Sequence, residues 1–464
     1  MKSIKSNSLP IREKLKSFFD FSVLSIDEGN GKKLLFMALF LPKLCEFLFA
    51  KIMNTFNTLL ISGYAENAVG ATTSATQIVT IFTIILNVTS VGATILVSIE
   101  LGRGERERAG RIVATSLFMI LLTSGIVSLG LFIFAEPLLV MLNLEGDALA
   151  YGTEYLKIRG GLLFLSIVSS FLGTMLICNG KAIHTMISGI LSNALNVLFV
   201  YLLLYVKIIP GLSGTSAIAV ATEIACVASI FYSGFVFCKS KCPFVLNFDK
   251  RFCAKIYTLG VPGSIASFSY NMALTLTVGF IGAMGIVSLN AYSYTNNIIG
   301  YACTFSAVAA PCISVFVGRY AGRADIESIR KICRLLVTMS ALVNTLVSVL
   351  IFALRNPLLS MFTENADIFS MCLIIFAIDC VIECGRGIVN SMESALNASR
   401  NVIVTMLSGI ISAWGFIVLL SYIFGIVLGL GLIGCWIAFA LSEWVKATVY
   451  IVYFKKKKWM KTII

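Results

Sequence analysis

Charge is scarce in this chain. Only 13% of its 464 residues are Asp, Glu, Lys or Arg, whereas a soluble globular domain carries roughly 25%. Histidine is rarer still: the single one, His184, excludes a multi-histidine metal centre. Beside Lys181 at the end of an apolar stretch, it reads as a residue at the level of the lipid headgroups rather than a proton relay. No Walker A sequence occurs, so ATP is not the direct energy source. The thirteen cysteines form no CxxC pair, and neither a structural disulfide nor a metal site is expected. Acids are outnumbered, 23 Asp and Glu against 36 Lys and Arg, for a net charge of +13. That balance would suit a nucleic-acid binder, but the basic residues sit in alternating loops, so no nucleic-acid partner is needed.

What the chain has in abundance is apolar sequence. Hydrophobic residues make up 58% and the mean hydropathy is +0.93. Stretches long enough to span a bilayer fall near 34–61, 72–99, 112–134, 158–178, 183–206, 212–238, 256–282, 291–318, 332–354, 371–396, 402–427 and 430–454. Most Lys and Arg precede the first stretch, follow the last, or lie in the even-to-odd loops between them. The positive-inside rule then predicts cytoplasmic termini in a multi-pass protein of the cell (plasma or inner) membrane. Lys455 to Lys458 lie beside anionic headgroups on this reading. The polar segment before residue 34 precedes a first span that would act as an uncleaved signal anchor. Ile11, Leu15, Phe18 and Phe19 could line one face of a short surface helix there.

The chain also repeats itself at an offset of 220 residues: Pro42 matches Pro262, Gly102-Arg103 matches Gly322-Arg323, and Pro137-Leu138-Leu139 matches Pro357-Leu358-Leu359. Ser188-Gly189-Ile190 likewise matches Ser408-Gly409-Ile410, and Glu223 matches Glu443. Six spans per copy is an even number, so both copies enter the membrane the same way round, related by an axis along its normal. The expected fold is an all-α integral membrane protein, twelve transmembrane helices in two pseudo-symmetric six-helix lobes around a central cleft. Its parts are a cytoplasmic segment 1–33, an N-lobe 34–238, a cytoplasmic linker 239–255, a C-lobe 256–454 and a basic tail 455–464.

Departures from the repeat point to chemistry. An ionisable residue in mid-span costs roughly 2.5–3.5 kcal/mol on insertion scales, so a polar group present in one copy only needs a reason. Asp379, Glu383, Arg386, Asn390 and Glu393 are spaced 4, 3, 4 and 3, which places them on one helical stripe. Their mates are Arg159, Leu163, Ser166, Ser170 and Gly173. Facing lipid the stripe would be prohibitive, so it is expected to line the cleft or to form a buried ion network within one lobe. Lys43, Glu46 and Lys51 make a second asymmetric set in the first span, with Asn54 and Asn57 further along the stripe of Lys43 and Glu46, and depth and sign match two pairs, Lys51 with Asp379 and Glu46 with Arg386. Tyr270 and Tyr294 are further cleft candidates, offering π-faces to a hydrophobic cation. Glu223 and Glu443, present in both copies, read as structural polar residues that tie helices together.

Several segments resemble the multidrug and toxic compound extrusion (MATE) family of secondary transporters. Pro42 followed by Asn57, Thr58-Leu59-Leu60-Ile61-Ser62 and Gly63 is similar to that family's first-span pattern. Leu101-Gly102-Arg103-Gly104-Glu105 resembles its Leu-Gly-x-Gly-acid loop, and Gly318 through Gly322-Arg323-Ala324-Asp325 looks like the second copy. Gly211 to Thr222 and Gly431 to Ala438 resemble the small-residue starts of its sixth and twelfth spans. The resemblance implies a secondary exporter of amphipathic, cationic small molecules that works by alternating access on an H+ or Na+ gradient. It implies no cofactor, no enzymatic activity and no obligate protein partner beyond substrate and bilayer. The family's usual acids are replaced by Asn57, Val200, Tyr270 and Arg386. Coupling is therefore expected at Asp379 and Glu383, countered by Arg386, with Glu393 nearby. A flippase for lipid-linked substrates is the main alternative, followed by a major-facilitator transporter, on the strength of Glu107-Arg108-Ala109-Gly110-Arg111, and a non-transporting receptor.

Overall fold

The computed structural model describes residues 21–27, 33–62, 66–142, 144–206, 208–209, 213–240, 242–245, 248–363 and 365–462; the side chains of 54–70, 458 and 461 lie outside that description. The first of its twelve long helices is α1, Phe36–Ser62. There follow α2 Ala71–Gly102, α3 Arg106–Ile133, α4 (Gly146–Gly161 and Leu163–Cys178, bent by 45°), α5 Ala182–Val206 and α6 Gly214–Lys239. The second set is α7 Lys250–Ala283, α8 Thr304–Gly322, α9 Ile326–Ala353, α10 Ala366–Ala398, α11 Val402–Val427 and α12 Gly431–Lys455. Apolar side chains such as Ile126, Phe231 and Leu346 remain largely exposed, as lipid-facing residues do. The proposed surface helix around Ile11–Phe19 lies outside the described residues.

The sequence repeat is a structural repeat. Arg106–Ile133 and Ile326–Ala353 match end for end at 220 residues, as do the short helices Ala135–Val140 and Arg355–Ser360 that follow them. A π-helical stretch, Leu202–Val206, closes α5, and its counterpart Tyr422–Val427 closes α11. Two differences stand out. The fourth span starts well before residue 158, because Gly146–Gly161 carries Asp147, Glu154, Lys157 and Arg159 and so reads as polar although it is helical. The eighth is divided: Ile286–Ile299 is a separate helix, and a turn leads to Thr304.

The chain forms two compact units. One is Ala38–Phe268; the other joins the segment up to Met37 to Ser269–Ile464. The division falls within α7, past the polar linker. In the second unit, strands β1 Ser25–Asp27 and β2 Lys33–Leu35 form an antiparallel hairpin that the polar composition of this segment did not announce. It and its flanks sit on the end of α8: Arg323 Nη2 donates to Asp27 O at 2.5 Å, the Tyr320 hydroxyl donates to Val23 O at 2.9 Å, and Phe36 meets Phe316 edge-on at 5.6 Å.

Within the first unit α2 and α7 cross at backbone contact. A Cβ at Gly92 would stand 2.1 Å from Ile256 O, and one at Gly260 2.0 Å from Val88 O. Only glycine permits that approach from both sides. Gly260→Val should therefore destabilise the protein by at least the roughly 1–3 kcal/mol of an overpacked core. Gly279→Ala, on the same helix with open space around it, should be neutral. Thermal melting in detergent separates the two; equal melting temperatures would mean the crossing is not tight.

Candidate functional site

In the second unit the α10 stripe faces inward. Asp379 is 2% exposed and Glu383 0%. Glu383 Oε1 accepts from Arg386 Nη1 one turn on, and its Oε2 accepts from Asn344 Nδ2 of α9 at 3.1 Å. Asn344 also donates to Ser306 Oγ of α8 at 2.9 Å, and Asn390 donates to the same oxygen at 3.0 Å. One turn before Glu383, Asp379 Oδ2 accepts from the Ser348 hydroxyl at 3.0 Å. One turn after Asn390, Glu393 Oε2 accepts from the Tyr450 hydroxyl of α12 at 3.4 Å, and Tyr450 in turn accepts from Ser408 of α11 at 3.0 Å. The stripe is thus knitted to α8, α9 and α12.

Two more ions stand on α12. Glu443 Oε1 takes Lys446 Nζ at 3.2 Å, and Lys446 Nζ lies 5.4 Å from the centroid of the Tyr270 ring, a cation–π distance. Glu443 is therefore paired along its own helix. Tyr270 belongs to this charged cluster, whereas Tyr294 packs among apolar side chains, with its ring 5.5 Å from Phe362. Away from their end turns, which carry Asp367 and Lys455, α10 and α12 hold four carboxyl groups, Asp379, Glu383, Glu393 and Glu443, against two cations, Arg386 and Lys446.

The first unit has its own polar site. Glu46 accepts from Lys43 at 2.6 Å and fits against α5 where Gly189 has no side chain. Lys51 stands 5.2 Å from the Phe47 ring centroid. The side chains of Asn54 and Asn57 lie outside the described residues.

Arg159 is the correction here. It stands at the very edge of the fourth apolar stretch, where a cation would count with the loop, but it lies well inside α4 and forms an ion pair with Glu223 of α6, the two side chains 18% and 5% exposed. It also donates to Ser166 Oγ at 2.7 Å. Glu223 thus meets a charged group on a neighbouring helix. Beside the pair is a cavity of about 480 Å³ lined by hydroxyl and amide groups, among them Thr76, Thr80, Tyr155, Asn193, Asn196 and Thr222. Asn196 Nδ2 donates to Thr222 Oγ1 at 3.0 Å in its wall.

Glu223 and Glu443 share one more property. Each uses Oε1 for its cation, and each buried Oε2 has no hydrogen-bond partner among the described residues. His184 Nδ1 meets the Tyr232 hydroxyl at 3.1 Å. All thirteen cysteines are free thiols, and no group of three or more His, Cys, Asp or Glu is arranged to hold a metal among the described residues.

Comparison with known proteins agrees with this architecture. The MatE family model matches residues 42–202 and again 262–423, two stretches whose starts are 220 residues apart. An uncharacterized transporter of Bacillus subtilis, YisQ, is 25% identical over 450 residues, covering 95% of this chain and 98% of its own. A probable multidrug resistance protein of Thermotoga maritima, NorM, is 23% identical over 431 residues, covering 91% and 92%. Among solved structures, the Vibrio cholerae MATE transporter VcmN superposes with a TM-score of 0.86 at 14% identity, over 96% of this chain and 99% of that one.

Proposed function

The chain belongs to the MatE family of membrane transporters, which are not enzymes, and we propose that it exports amphipathic, cationic small molecules by alternating access, driven by an H+ or Na+ gradient. The membership leaves the flippase, major-facilitator and receptor readings without support. The observation that carries the proposal is the charge balance of the second unit. Four carboxyls face two cations there, and each uncompensated ion in mid-membrane costs roughly 2.5–3.5 kcal/mol. Two of the acids therefore favour a bound proton, a bound Na+ or the positive charge of a substrate. Mutually exclusive occupancy of one pair of carboxyls by ion and substrate is what antiport requires.

Asp379 and Glu383 are the natural pair. They stand one turn apart, and only Glu383 has a cation of its own. Loading Asp379 neutralises the group formed by Asp379, Glu383 and Arg386, and unloading recharges it. The orphan oxygen of Glu443 is a further acceptor. In the first unit, the cavity beside Arg159 is lined by donors and acceptors without an acid, which suits the polar, uncharged parts of a substrate.

Inverted membrane vesicles with a fluorescent organic cation test this reading, with ΔpH and ΔNa+ imposed separately. Uptake should follow one of them, and uptake indifferent to both would refute ion coupling. The orientation has its own test. Leu246→Cys in a cysteine-free background should react with an impermeant maleimide only after the cells are opened; labelling from outside intact cells would invert the topology.

A further inference from the structure

A second cavity, of about 440 Å³, opens in the second unit where the start of α9 meets the end of α12. Its wall is apolar, formed by Val337 of α9, Met392 of α10, and Ile451 and Phe454 of α12. Its rim is cationic, formed by Arg330, Arg334, Lys455 and Lys457, and no acidic side chain lines it among the described residues. Among the described residues the Arg330 guanidinium reaches only the thioether sulfur of Met460, at 3.3 Å, and a thioether is a weak acceptor.

The rim is fixed in place. Beyond α12 the chain turns at Lys457, whose φ of 58° is one that favours glycine. The turn brings Trp459 back, fully buried, to stack on Phe454 with centroids 4.7 Å apart and planes 2° from parallel. Trp459 Nε1 donates to Phe454 O at 3.0 Å, Asn401 Nδ2 donates to Trp459 O at 3.3 Å, and the Thr462 hydroxyl donates to Ser399 O at 2.8 Å. The basic tail is a folded clasp, and it holds Lys455 and Lys457 at the mouth of the cavity.

We propose that this cavity binds one anionic phospholipid, its phosphate among the four cations and an acyl chain against Val337, Met392, Ile451 and Phe454. A free phosphate makes no use of the apolar wall, and a zwitterionic lipid brings no net charge to match Arg330, Lys455 and Lys457. Guanidinium groups match phosphate oxygens in a forked geometry. The loop charges put this end of α9 and α12 at the cytoplasmic leaflet, where anionic lipids are enriched. The site is separate from Asp379 and Glu383, so it stands or falls independently of the coupling proposal.

The test uses the purified full-length protein in neutral detergent, titrated with dioctanoyl phosphatidylglycerol and followed by thermal melting and native mass spectrometry. Saturable stabilisation with one retained lipid is expected, while dioctanoyl phosphatidylcholine and inorganic phosphate should have little effect. Lys455→Gln with Lys457→Gln, both at exposed positions, should weaken phosphatidylglycerol binding about thirtyfold. Val337→Trp should abolish it by filling the wall. The surface double variant decides the matter if the tryptophan variant fails to fold. Unchanged affinity in the double variant would overturn the proposal. So would equal stabilisation by phosphatidylcholine, or by phosphate alone, which would mark an ion site only.

Discussion

Asp379→Asn should yield a folded transporter that no longer responds to its driving ion. Asparagine keeps the shape of the side chain, and its carbonyl can still accept from the Ser348 hydroxyl. What disappears is the negative charge that an ion or a cationic substrate would neutralise. Coupling between two ligands is typically worth roughly 1–3 kcal/mol, a 5–150-fold change in affinity, and that whole effect should vanish while melting temperature and membrane level hold. Glu383→Gln should uncouple as well, but with a second consequence. It leaves Arg386 without its carboxylate, and breaking a buried pair by removing one partner costs about 3–5 kcal/mol. The two variants thus separate coupling from stability. Gradient-driven uptake by Asp379→Asn at the normal rate, with the normal ion dependence, would remove this residue from the coupling site.

Arg159 and Glu223 should show the largest purely structural effect. The pair bridges α4 and α6 with little exposure on either side. Arg159→Met or Glu223→Gln each leaves an unmatched charge within the membrane-spanning unit, so each should lower stability by about 3–5 kcal/mol. The swap of Arg159→Glu with Glu223→Arg should recover part of what the single changes lose, a coupling energy of roughly 0.5–3 kcal/mol. Strictly additive losses in melting temperature would mean that the two side chains do not depend on each other.

The fold was largely legible because lipid permits few solutions. Twelve apolar stretches could only be helices, and their repetition implied two lobes of six. What was missed has particular causes. Arg159 stands at the edge of the fourth apolar stretch, beside the polar run with Glu154 and Lys157, and an apolar-window reading does not show that the helix continues through that run. The hairpin at Ser25–Asp27 and Lys33–Leu35 is stabilised by contacts with α8, hundreds of residues away in sequence, which no local pattern reveals. The α10 stripe was visible from its spacing, but its partners were not. A signal existed for them: Ser340, Asn344 and Ser348 recur every fourth residue in the uncharged part of α9 beyond Arg334, and all three are buried against α10. Tyr294 was read as a cleft residue because aromatic side chains suit cations, but they suit apolar packing equally well, and the structure gives it Phe362. For Glu46 and Arg386, matched depth and sign predicted a pair. Each has a partner on its own helix, Lys43 and Glu383, as short spacing along a helix favours.

The four carboxyls and two cations around α10 and α12 also set an electrical expectation. If both surplus acids release their monovalent ions to the cytoplasm and one singly charged substrate leaves in exchange, each turnover carries one net positive charge inward. Export would then draw on the membrane voltage as well as on the ion gradient. One elementary charge falling through 100 mV releases about 2.3 kcal/mol, enough for a concentration ratio of about fiftyfold. A cell stripped of its pH and sodium gradients but still polarised would keep exporting, and a transporter layer on a solid-supported membrane would show a current when substrate is added.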